Sequence, residues 1–276
     1  MKTFNISILY GITIVLVLIS CKKSEIPTYS GDAKIQFIDS VTTRYSFIYE
    51  GEGISRDTVF IPIRAIGGLV DYDREIKLVQ TTEYKDEVRF DPETNQPIDT
   101  IQVPVEFAAE AGVHYIGFDD PDLQKMMVMK AGQVEAEIPV VILRDASLSE
   151  NSYRLHLELQ ENSFFSLGEK DNLSKTLVFS DRFERFYSWR FDNTVAPAFS
   201  TFGKYSAAKH QFMYEVIGEP IDENWYQQVV TVQAQAHYKN MIKQALSDFN
   251  NNPENIAMGL APLREGDASS PLVTFP

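Results

Sequence analysis

The chain has 276 residues, enough for one large or two modest domains, either able to bury a real core. Its 25 basic against 39 acidic residues give a formal charge of −14, a surface that repels phosphate backbones and argues against nucleic acid as a partner. One cysteine excludes an internal disulfide and a thiolate metal cluster, and 44% apolar residues with 14 Gly and 13 Pro exclude disordered, fibrous and low-complexity classes.

At the N-terminus, Met1-Lys2 supplies a short positive segment and Ile6 to Ile19 an uncharged apolar run, followed by Leu18-Ile19-Ser20-Cys21. A run of that length is a secretory leader, too short for a spanning helix of ~20 apolar residues. The last four residues resemble a bacterial lipobox: Leu18, Ile19 and Ser20 as the signal-peptidase recognition residues, Cys21 as the lipidated N-terminus left after removal of residues 1–20. Two or three acyl chains at about 0.8 kcal/mol per buried CH₂ hold a protein to a bilayer effectively permanently. Residues 21–33, with Lys22-Lys23, Pro27 and Gly31 and no apolar periodicity, form the lipidated cysteine and a flexible tether.

From Ile35 to about Phe179 the apolar period is two. Val59, Ile61, Ile63 and Ala65 alternate with Phe60, Pro62 and Arg64, as Ile101, Val103, Val105 and Phe107 do with Gln102, Pro104 and Glu106 and, most cleanly, Tyr153, Leu155, Leu157 and Leu159 with Arg154, His156, Glu158 and Gln160. Val134 to Leu143 is another strand; Ile76-Leu78 and Leu177-Phe179 are shorter ones. These features predict an antiparallel Ig-like β-sandwich over residues 34–180. Pro62, Pro104 and Pro139 each remove a ladder donor, which predicts edge strands or bulges there.

Beyond Asp181 the pattern changes to a smaller helix-containing domain, α or α+β, over 181–276. Phe183, Phe186, Tyr187, Trp189 and Phe191 form an aromatic stretch expected to pack against the segments after it. Lys204 to Ile217 predicts a helix capped near Ser206 and stopped at Gly218-Glu219-Pro220. Trp225, Val229, Val232 and Ala236 continue into Tyr238, Ile242, Ala245 and Phe249, predicting one long helix from Glu223 to about Phe249, although Val229-Val230-Thr231-Val232 also suits a strand. The tail to Pro276 predicts loop with a last short strand at Leu272 to Phe275.

Ile138 to Gly168, with Leu143-Arg144-Asp145-Ala146-Ser147-Leu148 before a strand and Asn162-Ser163-Phe164-Phe165-Ser166-Leu167-Gly168 after it, resembles a family of uncharacterised Bacteroidetes lipoproteins. So do Phe202-Gly203-Lys204-Tyr205-Ser206 with Lys209 and Gln211-Phe212-Met213, and the ending Pro271-Leu272-Val273-Thr274-Phe275-Pro276. The resemblance implies a setting near outer-membrane importers of the starch-utilisation type, with no activity assigned. A looser resemblance to Calx-β modules, through Ala111-Gly112-Val113-His114-Tyr115, puts His114 where those modules prefer Asp. Lys22 replaces the aspartate of an enterobacterial inner-membrane retention signal, which favours the outer membrane. Glu25 stands alone where surface-exported lipoproteins of Bacteroidetes carry an acidic cluster, so the periplasmic and cell-surface faces both stay open.

No glycine-rich phosphate loop, His-Glu-x-x-His, Gly-x-Ser-x-Gly or Cys-x-x-Cys is present, and no cofactor is implied. Asp119, Asp120 and Asp122 put three carboxylates in one loop, a cation site or a solvated turn. Trp189 and Trp225 are candidates for stacking on sugar rings, against the alternative of burial in apolar patterns. Ser40, Thr58 and Thr100 sit in Asp-Ser/Thr-aliphatic triplets that match the O-glycosylation sequon of Bacteroidetes and equally suit a turn acid entering a β-branched strand. The expected function is a non-catalytic outer-membrane lipoprotein, a binding or docking component of a nutrient-import locus. Its partners are the membrane through the anchor and a glycan, a peptide or importer proteins. The alternative is a lipid-anchored hydrolase with carboxylates from separate loops, one with a raised pKa.

Overall fold

The computed structural model describes residues 31–276; Leu18, Ile19, Ser20, Cys21 and the first part of the tether lie outside them. The strands are β1 (Lys34–Phe37), β2 (Thr43–Ser46), β3 (Arg56–Ile66), β4 (Arg74–Glu75), β5 (Lys77–Gln80), β6 (Tyr84–Phe90), β7 (Pro97–Pro104), β8 (Val128–Met129), β9 (Glu135–Leu143), β10 (Tyr153–Gln160), β11 (Ser166–Leu167) and β12 (Ser174–Ser180). A short helix α1 (Pro121–Met126) precedes β8, and α2 (Pro197–Phe202), α3 (Ala207–Ile217), α4 (Glu223–Thr231), α5 (Gln235–Asn251) and α6 (Pro253–Ala257) follow β12. The fold is mainly β, with its longer helices in the C-terminal region.

Two four-stranded sheets, in the orders β11-β1-β3-β9 and β2-β12-β10-β5, make the sandwich. Alternation along β10 places Leu155, Leu157 and Leu159 in the core, where they meet Phe37, Ile61, Ile63, Ile138, Val140 and Phe179. Most pairs are antiparallel, but β1 with β11 and β2 with β12 are parallel. The chain crosses from one sheet to the other between β1 and β2, so β1 lies inside its sheet between β11 and β3 while β2 is an end strand of the other.

Proline placement follows the ladder with one correction. Pro104 ends the exposed β6–β7 hairpin and Pro139 lies on β9, an end strand of its sheet, but Pro62 lies on β3, an interior strand. Pro62 is accommodated because it faces the end of β1: its carbonyl accepts from Ile38 N–H at 3.2 Å, one residue beyond the strand, where no partner needs the missing donor. The strand expected to run to Phe107 stops at Pro104, and Phe107 takes a positive φ of 56°.

A second apolar cluster gathers Phe186, Trp189, Phe202, Met213, Trp225, Tyr226, Ile242 and Leu246, and Val273 and Phe275 fold back onto it. Helix α3 starts where Ser206 Oγ accepts from Lys209 N–H and ends at Gly218 in the left-handed region (φ 79°). The single long helix expected after Asp222 is two helices. Gln233 has φ 55° between α4 and α5, and Val232, expected on the apolar stripe, is 71% exposed. The β-branched run Val229 to Val232 weakens the helix where it breaks, and α5 restarts on a new face with Ile242 and Leu246 inward.

Candidate functional site

The two apolar clusters meet where the chain leaves β12. Asp181 N–H donates to Leu148 O, and the Asp181 carboxylate accepts two bonds from Arg144, from Nε at 2.7 Å and Nη2 at 2.8 Å. The same guanidinium donates to Gly51 O and lies over the Phe47 ring, so one buried-edge arginine ties three segments of the sandwich to the exit strand. Asp181 in return raises the Arg144 pKa further.

A cleft of about 730 Å³ opens beside this knot, walled by Ser149, Ser152 and Asp181 to Arg185 on one side and by Tyr205, Ala207 and Gln211 of the α3 start on the other. Volumes of ~300–1,000 Å³ are usual for small-ligand sites, which favour junctions of this kind. Arg182 donates to Glu150 O at 2.6 Å, to Ser152 Oγ at 3.2 Å and to Glu184 Oε1 at 2.9 Å, while Ser152 Oγ also bonds Glu184. Arg185 pairs with Asp192 at 2.8 Å and stacks over Tyr205, and Asp192 is held below the usual carboxylate range chiefly by Arg185. The cleft therefore presents fixed donors and acceptors whose charges are already neutralised, beside the rings of Phe183 and Tyr205.

Behind the cleft, His210 is 1% exposed and joins the two clusters. Its Nε2 lies 2.8 Å from Ile221 O and 3.0 Å from the hydroxyl of Tyr49, a residue of the 47–49 turn in the sandwich; its Nδ1 lies 3.2 Å from Tyr205 Oη. This network assigns the Nε2–H tautomer, donating to Ile221 O and accepting from Tyr205 at Nδ1. Burial pushes the His210 pKa down to about 4 and raises the Tyr49 and Tyr205 hydroxyls. Tyr49 packs edge-on to Phe183 and Tyr214, completing an aromatic seal at the junction.

Neither tryptophan forms a platform. Trp189 is fully buried, with its indole N–H donating to Gly203 O at 2.8 Å, and Trp225 is 6% exposed, donating to Glu219. Both lie in the helical core, so their apolar surroundings, rather than a sugar, account for them. The three loop aspartates do not converge. Asp120 caps α1 by accepting from Asp122 N–H and Leu123 N–H, Asp122 pairs with Lys125 at 2.7 Å, and Asp119 faces a separate groove. Among the described residues, no group of three or more His, Cys, Asp or Glu side chains could hold a metal ion. Ser40 is exposed in the β1–β2 connection, Thr58 is half-buried on β3, and Thr100 is exposed on the β6–β7 hairpin. Sequence periodicity did not signal the cleft, because its walls come from loops that only the junction brings together; the alternating charges of Asp181, Arg182, Glu184 and Arg185 are its one visible trace.

Residues 94–219 match the family model described as a domain of unknown function (DUF4843). The DUF4843 match runs from the β6–β7 turn through α3, and so takes in Ser149 to Gln211 of the cleft but neither β1 nor α4 and α5. No curated protein matches the chain. Solved structures similar to it include a "putative carbohydrate binding protein" from Bacteroides ovatus, 16% identical, with a TM-score of 0.27, covering 55% of this chain and 38% of that one. A protein of unknown function from Bacteroides ovatus is also 16% identical, with a TM-score of 0.26, covering 53% and 43%. The chain thus spans about two fifths of the length of these solved proteins.

Proposed function

We propose that this protein is a non-catalytic outer-membrane lipoprotein that binds a polar ligand, a glycan or peptide, in the junction cleft as an accessory of a nutrient-import locus. The observation that carries the binding role is the cleft itself, walled by rigidly paired Arg182, Glu184 and Arg185 and flanked by aromatic rings. Such a surface can exchange hydrogen bonds with hydroxyl or amide groups without having to neutralise a charged ligand. The attachment rests on Leu18 to Cys21 and on the polar tether after it. No helix among the described residues is long and apolar enough to cross a membrane, and lipidation requires none.

Carboxylate behaviour favours this reading over the hydrolase alternative. A carboxyl acting as general acid needs its pKa raised by burial or by a like charge. Among the described residues, the carboxyls with displaced values, Asp39, Asp73, Glu83, Asp91, Asp99, Asp145, Asp192 and Asp267, all move downward, held by ion pairs or hydrogen bonds.

The test is a glycan and peptide binding screen on the chain beginning at Lys22, repeated with Ala207→Trp. Ala207 is exposed at the first position of α3 and lines the cleft, so an indole there fills the site without touching the core. Saturable binding lost in Ala207→Trp at unchanged thermal midpoint supports the proposal. Binding indifferent to that change, or turnover of a screened compound, contradicts it.

A further inference from the structure

A second surface, remote from the junction cleft in its lining residues, carries its own chemistry. Strand β5 is the last strand of its sheet and pairs only with β10, in the register Gln80 to Leu157 and Lys77 to Gln160. Thr81 N–H donates to His156 O, one residue beyond the strand, and Leu159 N–H turns the other way to Leu173 O. Antiparallel pairs bond at every second residue, so Lys77 and Val79 face β10 while Leu78 and Gln80 turn their N–H and C=O groups to the open side. Ile76, in the same phase, already donates to Met127 O at 2.9 Å, which confirms the direction. Among the described residues, the main-chain groups of Leu78 and Gln80 on that side have no hydrogen-bond partner.

These groups do not face open water. They line a groove of about 430 Å³ whose opposite wall carries Tyr115, Phe118 and Met127. Both ends are closed by the chain's own bonds: Ile76 to Met127 at one, and at the other Gln80, which donates to Ala109 O at 2.6 Å and accepts from Tyr115 Oη at 2.7 Å. Strands rise about 3.4 Å per residue, so the slot accommodates roughly four residues of extended chain.

Charge selects among occupants. Among the described residues, Glu75 and Asp119 line the groove with no ion-pair partner, opposed by Lys77 alone among its lining residues, on a chain of net charge −14. A second copy would bring another −14 to the same edge. We propose that the open edge of β5 binds an extended peptide bearing lysine or arginine by strand addition: the peptide backbone completes the ladder at Leu78 and Gln80, and its basic side chains reach Glu75 and Asp119. This goes beyond the junction cleft and does not depend on it.

The probe is a capped, fluorescein-labelled tetrapeptide of two lysines alternating with two valines, titrated at low salt with the full chain in detergent. The expected result is a saturable anisotropy rise. N-methylation of the valine amides and N-methylation of the lysine amides should differ in affinity by about tenfold or more, because only one set faces β5. Gln124→Trp, at an exposed position lining the groove, should weaken binding about tenfold at unchanged near-ultraviolet circular dichroism, and Glu75→Gln with Asp119→Asn should flatten its salt dependence. Ala207→Trp should leave this binding intact, which separates failure here from failure of the cleft reading. Absence of saturable binding, equal effects of the two methylation patterns on the unaltered protein, or a concentration-dependent dimer abolished by Gln124→Trp would each overturn the proposal.

Discussion

Replacing His210 with Gln removes one proton-binding site from the seal between the two apolar clusters while keeping a side-chain donor for Ile221 O. The native imidazole titrates near 4 because burial disfavours its charged form, against about 6.5 in an unfolded chain. A folded-state pKa below the unfolded value means that the unfolded chain binds the proton first. The histidine's contribution is therefore fully present above pH 6.5 and is lost progressively as pH falls toward 4. Between pH 7.5 and 4.5 this single site accounts for about 2.5 kcal/mol of lost stability, taking about 1.4 kcal/mol per pKa unit. His114, whose pKa burial also lowers, is common to both proteins and cancels in the comparison. Urea unfolding of wild type and His210→Gln at the two pH values measures it: the variant should lose about 2.5 kcal/mol less across the interval, whatever its stability at pH 7.5. Parallel pH dependences in the two proteins would refute the assignment of a neutral, buried His210 to the junction.

Trp189→Ala should destabilise by about 4 kcal/mol, since it empties a fully buried site and leaves Gly203 O without its donor; a urea midpoint shift of that size identifies the residue as core. Asp181→Asn should cost about 2 kcal/mol, because Arg144 and Asp181 are each less than a fifth exposed and the guanidinium keeps its bonds to Gly51 O and Ile54 O after the pair is broken. The shift should persist in high salt, which separates it from loss of an exposed ion pair.

Much of the sandwich was legible because burial on one face of a strand imposes strict alternation, as at Tyr153 to Gln160 and Val59 to Ala65. Strand β6 escaped because it is exposed throughout: Tyr84 to Phe90 belongs to a projecting hairpin with no core to impose a period. The α4–α5 break was half visible in the β-branched run, but the positive φ at Gln233 leaves no mark in a glutamine. Pro62 misled because the sequence does not show that β1 ends opposite it. Trp189 and Trp225 lay in apolar patterns consistent with burial, and burial is where they are. The cleft and the β5 groove were hidden for a common reason: each is walled by segments distant in the chain, so no local window contains both sides.

Whether this protein works at a membrane is tested most directly by intact and peptide mass spectrometry of the protein from its native cells. The expected result is an N-terminal peptide that begins at Cys21 and carries diacylglycerol and acyl chains. A chain that retains residues 1–20 with an unmodified Cys21 thiol would contradict the anchoring, and the import role would fall with it.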